Sequence, residues 1–329
     1  MINKKVSLIS LVIIIGIIAV GYTSFNNIYE KSNNPSTVNP STVNPSTVNP
    51  STVNPSTLNP LSQLPSDRLT VDQIIDYNLI EQTTLFETSK KSFFEVYMTP
   101  RDFHNIQNLG SEDALDEIRL ELKLEYLKLY KLLAANEGTI VIYPTFTSAA
   151  YSEPGFYTFF RGDCDESCIT DLSFDKPKLG YTSSGISTQV LTLLGYEFVT
   201  DVDVDKNPEI LKNYDTIILL HNEYVTQKIF DAVVSHPNII YLFPNALYAE
   251  IDVNYDDNTM TLIRGHNYPE FEIKNGFDYE IEQRFHEYEY DSDCLTWEFV
   301  KFENGHALTC YPDSIIFADL DILLKLKEF

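Results

Sequence analysis

The sequence predicts an α/β fold: a mostly parallel sheet with helices on both faces, carrying a β-rich C-terminal extension. Three observations predict it. Short continuous apolar runs recur after residue 138, as "TIVIY", "YEFVT", "DTIILL" and "NIIYLF". Helix-patterned segments separate them, the pattern of buried parallel strands joined by crossovers. From about residue 248 the pattern changes to strand-like pairs joined by turn residues.

A chain of another kind comes first. Lys4-Lys5 precede "VSLISLVIIIGIIAVGY", about 17 residues without a charge from Val6 to Tyr22. That length is within reach of a membrane helix, and two leading lysines place the N-terminus inside. Residues 1–24 are therefore expected to be an uncleaved anchor in the cell membrane, single-pass, with the rest of the chain outside. A cleaved signal peptide is the rival, and "AVGYTSF" makes a poor cleavage site. Residues 25–68 hold "NPSTV" repeats. Proline at every fifth position blocks helix and sheet, so this stretch reads as a disordered stalk, extended over roughly 100 Å.

Residues 69–137 read as a helical segment. Thr70 and Gln73 form a capping box before "VDQIIDYNLIEQ". Ser111-Glu112-Asp113 opens a longer helix to about Ala135, with Leu115, Ile118, Leu122, Leu129 and Leu133 as its apolar stripe. Residues 138–329 then form the α/β domain with its extension. Ser184-Gly185 leads into the helix "ISTQVLTLLG", Asn207-Pro208 opens a short one, and Thr226 caps "QKIFDAVVSH". "YAEIDV" and "TMTLIR", joined by Asp256-Asp257-Asn258, read as a hairpin. The stretch from Tyr279 to Phe317 reads as antiparallel.

Charge and cysteines narrow the function. The chain has 48 acidic against 23 basic side chains, a net charge of −25. Residues 1–60 hold Lys4, Lys5 and Lys31 against Glu30, a net +2, so the remainder carries −27. Such a surface repels phosphates, which argues against nucleic acid and anionic membrane surfaces as partners. Cys164 and Cys168 are spaced C-x3-C, and Cys294 and Cys310 flank a segment with Asn304-Gly305 at its turn. Pairings 164–168 and 294–310 are expected. A four-cysteine zinc site is the alternative, without the C-x2-C spacing it favours.

Ligands of open parallel sheets bind beyond the carboxyl ends of the strands. Three segments end there: "PTFTSAAYSEPGFY", "TDVDVDKNPE" and "HNEYVT". "DVDVD" at 201–205 lacks the glycine and the closing glutamate of a calcium loop, and reads as the exposed face of a strand end. His221 and Glu223 stand two apart, so an extended backbone points both to one side. The plain reading is a satisfied polar pair or a cap; the other is a working site. No Gly-x-Ser-x-Gly or Gly-x-Cys-x-Gly turn is present, which removes a nucleophile-elbow serine or thiolate.

"VIYPTFTSAAY", then "SFDKP", then "YDTIILLHNEYVT" resemble, in that order, the C-terminal domain of the large subunit of N,N-dimethylformamidase and its relatives, over about residues 139–250. The resemblance implies a glutamine-amidotransferase-like, flavodoxin-like fold. It implies a mononuclear iron, with Glu223 and Tyr151 as metal ligands, His221 as the neighbouring catalytic histidine, and a small-molecule amide as substrate. Val225 stands where the family has tryptophan, Lys176 where it has arginine, and no tyrosine follows Pro177. A second phenolate falls to Tyr181 or Tyr157. Two functions follow: a membrane-anchored outer domain that holds a ligand without chemistry, or a metal-dependent hydrolase of amide C–N bonds.

Overall fold

The computed structural model describes residues 68–70, 84–99, 118–175, 180, 183–277, 294–302 and 304–329. In chain order its strands are β1 (Leu69–Thr70), β2 (Phe94–Met98), β3 (Arg119–Leu122), β4 (Thr139–Tyr143), β5 (Leu172–Ser173), β6 (Glu197–Thr200), β7 (Thr216–Leu219), β8 (Tyr224–Val225), β9 (Ile239–Tyr241), β10 (Ala249–Asn254), β11 (Thr259–Arg264), β12 (Phe299–Phe302) and β13 (Gly305–Leu308). The helices are α1 (Thr84–Lys91), α2 (Leu127–Leu133), α3 (Thr145–Ala150), α4 (Phe156–Phe160), α5 (Gly185–Leu193), α6 (Asp201–Lys206), α7 (Gln227–Val234) and α8 (Leu320–Glu328). All lie within one unit spanning Thr57–Phe329.

The strands form three sheets. The largest has the order β12-β13-β9-β7-β4-β6 and is parallel except for the β12–β13 pair at its edge. Its strands alternate between two cores. Val141, Ile218 and Ile240 pack with α5, α8 and the sheet β1-β2-β3. Ile140, Ile142, Ile217, Leu219 and Ile239 pack on the other face with α3, α7 and the sheet β5-β11-β10-β8. Burial on both faces explains why these strands read as unbroken apolar runs.

Several expectations need correction. In place of one sheet with an extension behind a helical segment, the fold is mixed α/β with three sheets. Over its described part, 118–135, the helix expected over 111–135 gives way to β3, a 3-10 turn at Leu124–Tyr126 and the short α2. The residues Ile118-Arg119-Leu120-Glu121 alternate in and out as they pair with β2, so period two wins over period 3.6 here. "DVDVD" is not a strand end but α6, opened by a Thr200–Asp203 capping box, with Asp201 and Asp205 buried. Among the described residues after Tyr279, β12 and β13 pair antiparallel, and β13 also pairs parallel to β9.

The expected membrane anchor at 1–24, the stalk and the capping box at Thr70 and Gln73 fall wholly or partly outside the described residues, as does Tyr181. Among the described residues no helix is long and apolar enough to cross a membrane. That finding stands against the expected single-pass placement. Both disulfides pair as expected, Cys164–Cys168 with Cα atoms 6.2 Å apart and Cys294–Cys310 at 5.3 Å. That removes the zinc alternative, since bridged sulfurs are no longer thiolate ligands.

Two glycines are dictated by close approach. A Cβ on Gly305 would meet the Ile239 carbonyl oxygen at 1.8 Å, so only glycine lets β13 lie against β9. Gly265 has φ +121°, and its Cβ would meet Ala249 Cα at 2.9 Å. Gly195, also at positive φ (+82°), has open space around it. Gly265→Ala is expected to lower stability by about 1–3 kcal/mol in urea unfolding, and by more than Gly195→Ala. Equal costs at the two positions would remove the Ala249 contact as a cause.

Candidate functional site

The chain leaves the largest sheet at Leu219 and enters the second sheet at Tyr224, because β8 pairs with β10 rather than with β9. His221 and Glu223 lie in that passage. Backbone hydrogen bonds hold it in place: the Leu247 N–H donates to the Asn222 carbonyl, and the Tyr248 and Ala249 N–H groups donate to that of Glu223. Neither side chain is in solvent; each is 1% exposed.

Helix α3 supplies the next group. It starts directly after β4, and its first turn is fixed by the Phe146 N–H, which donates to Asp201 Oδ2 at 3.0 Å. Thr147 and Tyr151 are four apart and share a helix face. Thr147 Oγ1 accepts from the N–H groups of Glu223 (3.0 Å) and Tyr224 (3.2 Å). Tyr151 Oη, one turn on, donates to Glu223 Oε2 at 2.8 Å. The spacing "TFTSAAY" thus fixes both the backbone and the carboxylate of Glu223.

His221 Nε2 lies 3.1 Å from Glu223 Oε2. The three residues singled out in the sequence, Tyr151, His221 and Glu223, are therefore in mutual contact. Others join them that the sequence reading missed. Tyr311 Oη reaches the His221 ring, and Asn245 Nδ2 stands 2.6 Å from His221 Nε2. Phe243 stacks on the same imidazole at 5.7 Å and 16°. His266 Nε2 approaches Glu223 Oε1 at 2.5 Å. Turn chemistry around His266 ("RGHNYPE") and the cysteine before Tyr311 were the available signals. Tyr157, one choice for a second phenolate, stacks on Tyr151 at 5.1 Å and is 37% exposed.

The electrostatics follow from burial and pairing. Burial opposes ionisation of Glu223, but His266 and His221 together outweigh it and hold the carboxyl far below the usual range. Burial, then the Glu223 charge, push the Tyr151 phenol well above its usual range, in keeping with its role as donor. Asn222, between the pair, is fully buried with both side-chain polar atoms unpaired, and Asn245 Oδ1 is likewise unpaired. Unpaired buried amides are rare in folded proteins and call for an explanation.

Among the described residues no three His, Cys, Asp or Glu side chains are grouped to hold a metal ion. An ion at Glu223 would therefore need phenol oxygen in its shell. Two donors about 2.1 Å from one ion and at right angles stand about 3 Å apart, and Tyr151 Oη and Glu223 Oε2 are 2.8 Å apart. In the structure that separation is the hydrogen bond from the phenol to the carboxylate. A cavity of about 330 Å³ lies elsewhere, lined by Asp205, Lys228, Glu250 and Asp252 among others, with no residue of the Glu223 cluster in its wall. No protein-family model matches the chain, and no curated protein matches it.

Two buried carboxyls outside the cluster give stability a pH dependence of opposite sign to Glu223. Burial pushes Asp201 up to about 8, against the pull of backbone N–H groups of Phe146 and Val202. Asp313, which accepts from the Ile186 and Ser187 N–H groups at the start of α5, is pushed up by burial to about 6. A carboxyl raised by folding stabilises below its unfolded value of 3.8 and loses that contribution as pH rises through its folded value. Stability is thus expected to fall between pH 4 and 8, and Asp201→Asn to flatten that fall. Glu223 is lowered, so its contribution is present above 4.5 and lost in acid; Glu223→Gln should flatten the acid side. Chemical unfolding across the pH range checks both slopes.

Proposed function

We propose that the chain is a hydrolase of C–N bonds in small amides, working at the Tyr151–Glu223–His221 cluster with a metal ion held by Tyr151 Oη and the Glu223 carboxylate. The supporting observation is the contact of these three side chains, brought from separate segments to the carboxyl end of the largest sheet. The resemblance to the dimethylformamidase family supplies the reaction class. A hard cation held by phenolate and carboxylate supplies Lewis acidity toward an amide carbonyl and acidifies water.

The protein's own groups would divide the remaining work. His221 has a ring nitrogen beside Glu223 and contacts from Tyr311 and Asn245, which fix the imidazole in one orientation. It would carry a proton to the departing amine nitrogen. Glu223 would bind and keep its negative charge. The unpaired Asn222 amide and Asn245 Oδ1 would receive polar atoms of the substrate. Burial of His221 and Glu223 would exclude bulk water.

A second reading has an observation of its own. His221 and Glu223 are each 1% exposed, which suits a closed polar cluster in a binding module without chemistry. The full chain, purified and supplied with ferrous iron, separates the two. Elemental analysis is expected to show one ion per chain, and amine release from formamide and dimethylformamide to be detectable. Glu223→Gln should lose both, and His221→Ala should retain the ion while amine release falls by roughly 10²–10⁴-fold. A folded wild type that takes up no metal and releases no amine would leave the binding reading.

A further inference from the structure

We propose that the site takes a primary amide, a carbonyl that bears a free NH2 group, and that Asn222 and Asn245 select it. This rests on the hydrolase reading above and narrows its substrate from small amides in general to those with both N–H bonds intact. Three observations carry it.

The first is the place of the two asparagines. Asn245 Nδ2 lies 2.6 Å from His221 Nε2, which in turn lies 3.1 Å from Glu223 Oε2. The Asn245 amide is therefore part of the cluster; its nitrogen is taken by the imidazole, and its oxygen has no partner. Asn222 joins His221 to Glu223 in the chain, and its carbonyl accepts the Leu247 N–H at 2.8 Å. Leu247 is two residues from Asn245, so the two asparagines stand on adjoining segments.

The second is unmet bonding. Asn222 is 0% exposed and Asn245 3%. Asn222 Nδ2, Asn222 Oδ1 and Asn245 Oδ1 are all buried without a partner. Among the described residues Asn222 is the one side chain with both a donor and an acceptor left unpaired. Burying such groups unpaired is costly, and their presence beside His221 and Glu223 points to a polar guest that completes them.

The third is the inventory of donors and acceptors. The unpaired set is one NH2 donor and two carbonyl-type oxygens. Its complement is one acceptor and two donors, which is what a primary amide carries. The substrate oxygen accepts from Asn222 Nδ2, and its two N–H groups donate to Asn222 Oδ1 and Asn245 Oδ1. A carboxylate offers acceptors alone and would lie beside the buried negative charge of Glu223. An alkylammonium offers donors alone. An N,N-dialkyl amide keeps the oxygen but leaves both asparagine oxygens unpaired. N,N-Dimethylformamide, the amide in the name of the resembling family, is therefore the poor substrate of the series. Water supplies a hydroxyl to the carbonyl carbon and a proton to nitrogen as the C–N bond breaks, so the products are a carboxylic acid and ammonia.

The test uses the full chain supplied with ferrous iron and three substrates: formamide, N-methylformamide and N,N-dimethylformamide, which lose one N–H at each step. kcat/KM is expected to fall roughly tenfold or more per step. Asn222→Leu keeps the size of the side chain and removes both amide groups. It is expected to reduce the formamide-to-dimethylformamide ratio by about tenfold or more, which separates selection from the amides' own reactivity. Asn222→Ala serves if the leucine variant does not fold. Binding is read apart from chemistry by nuclear magnetic resonance titration, in which acetamide is expected to bind roughly tenfold or more tightly than N,N-dimethylacetamide. Equal kcat/KM across the wild-type series, equal affinity for the two acetamides, or an unchanged ratio in a folded Asn222 variant would overturn the proposal while leaving the hydrolase reading. A wild type that prefers acetamide yet releases neither ammonia nor amine would overturn the hydrolase reading and leave the primary amide as ligand.

Discussion

One buried negative charge organises the local structure. A carboxylate taken out of water costs several kcal/mol unless partners replace the water, and Glu223 is 1% exposed. Its partners are His221, two residues away; Tyr151, at the end of α3; and His266, in the turn after β11. Each is itself fixed by neighbours: Tyr151 by the helix that also binds the Glu223 backbone, His221 by Tyr311 and Asn245, and His266 by three aromatic rings. The charge and the fold around it are therefore one arrangement.

The passage between sheets makes that arrangement available. Had β7 simply continued, its alternate residues would enter the two apolar cores, as Ile217, Ile218 and Leu219 do. Instead the chain steps from β7 to β8 over Leu220–Glu223, and the polar side chains of this step are buried. Ser184, at the start of α5, accepts the His221 N–H at 2.9 Å, and Asp313 fixes the first N–H groups of the same helix. The segment that bears Tyr311 and Asp313 follows Cys310, so the Cys294–Cys310 bridge anchors it one residue away from the histidine's partner.

What the sequence revealed, and what it hid, has a physical explanation. β4, β7 and β9 were legible because burial on both faces leaves no charged residue in the run. The contact between His221 and Glu223 was legible because an extended backbone puts alternate residues on one side. The sheet β1-β2-β3 was hidden because "IRLEL" fits a helical stripe and a strand alternation equally well, and only pairing with β2 decides between them. "DVDVD" misled in the same way: a two-residue alternation of valine and aspartate became a helix because Thr200 caps it. The turn residues around His266 and the cysteine before Tyr311 were visible, but the approach of His266, Tyr311 and Asn245 to Glu223 and His221 depends on long-range contacts that no local pattern encodes.

The parallel docking of β13 on β9 bears on the order in which the molecule can be assembled. β13 lies later in the chain than any other strand of the largest sheet, yet it sits inside that sheet, between β9 and β12. Until residues beyond 300 are available, β9 is an open edge with unsatisfied backbone groups, able to recruit a strand from another chain. A nascent or truncated polypeptide that stops short of Gly305 would carry the β4–β7–β9 core together with a sticky border, and its histidine would lack Tyr311. Self-association of such fragments, rather than simple loss of activity, is the hazard this topology creates.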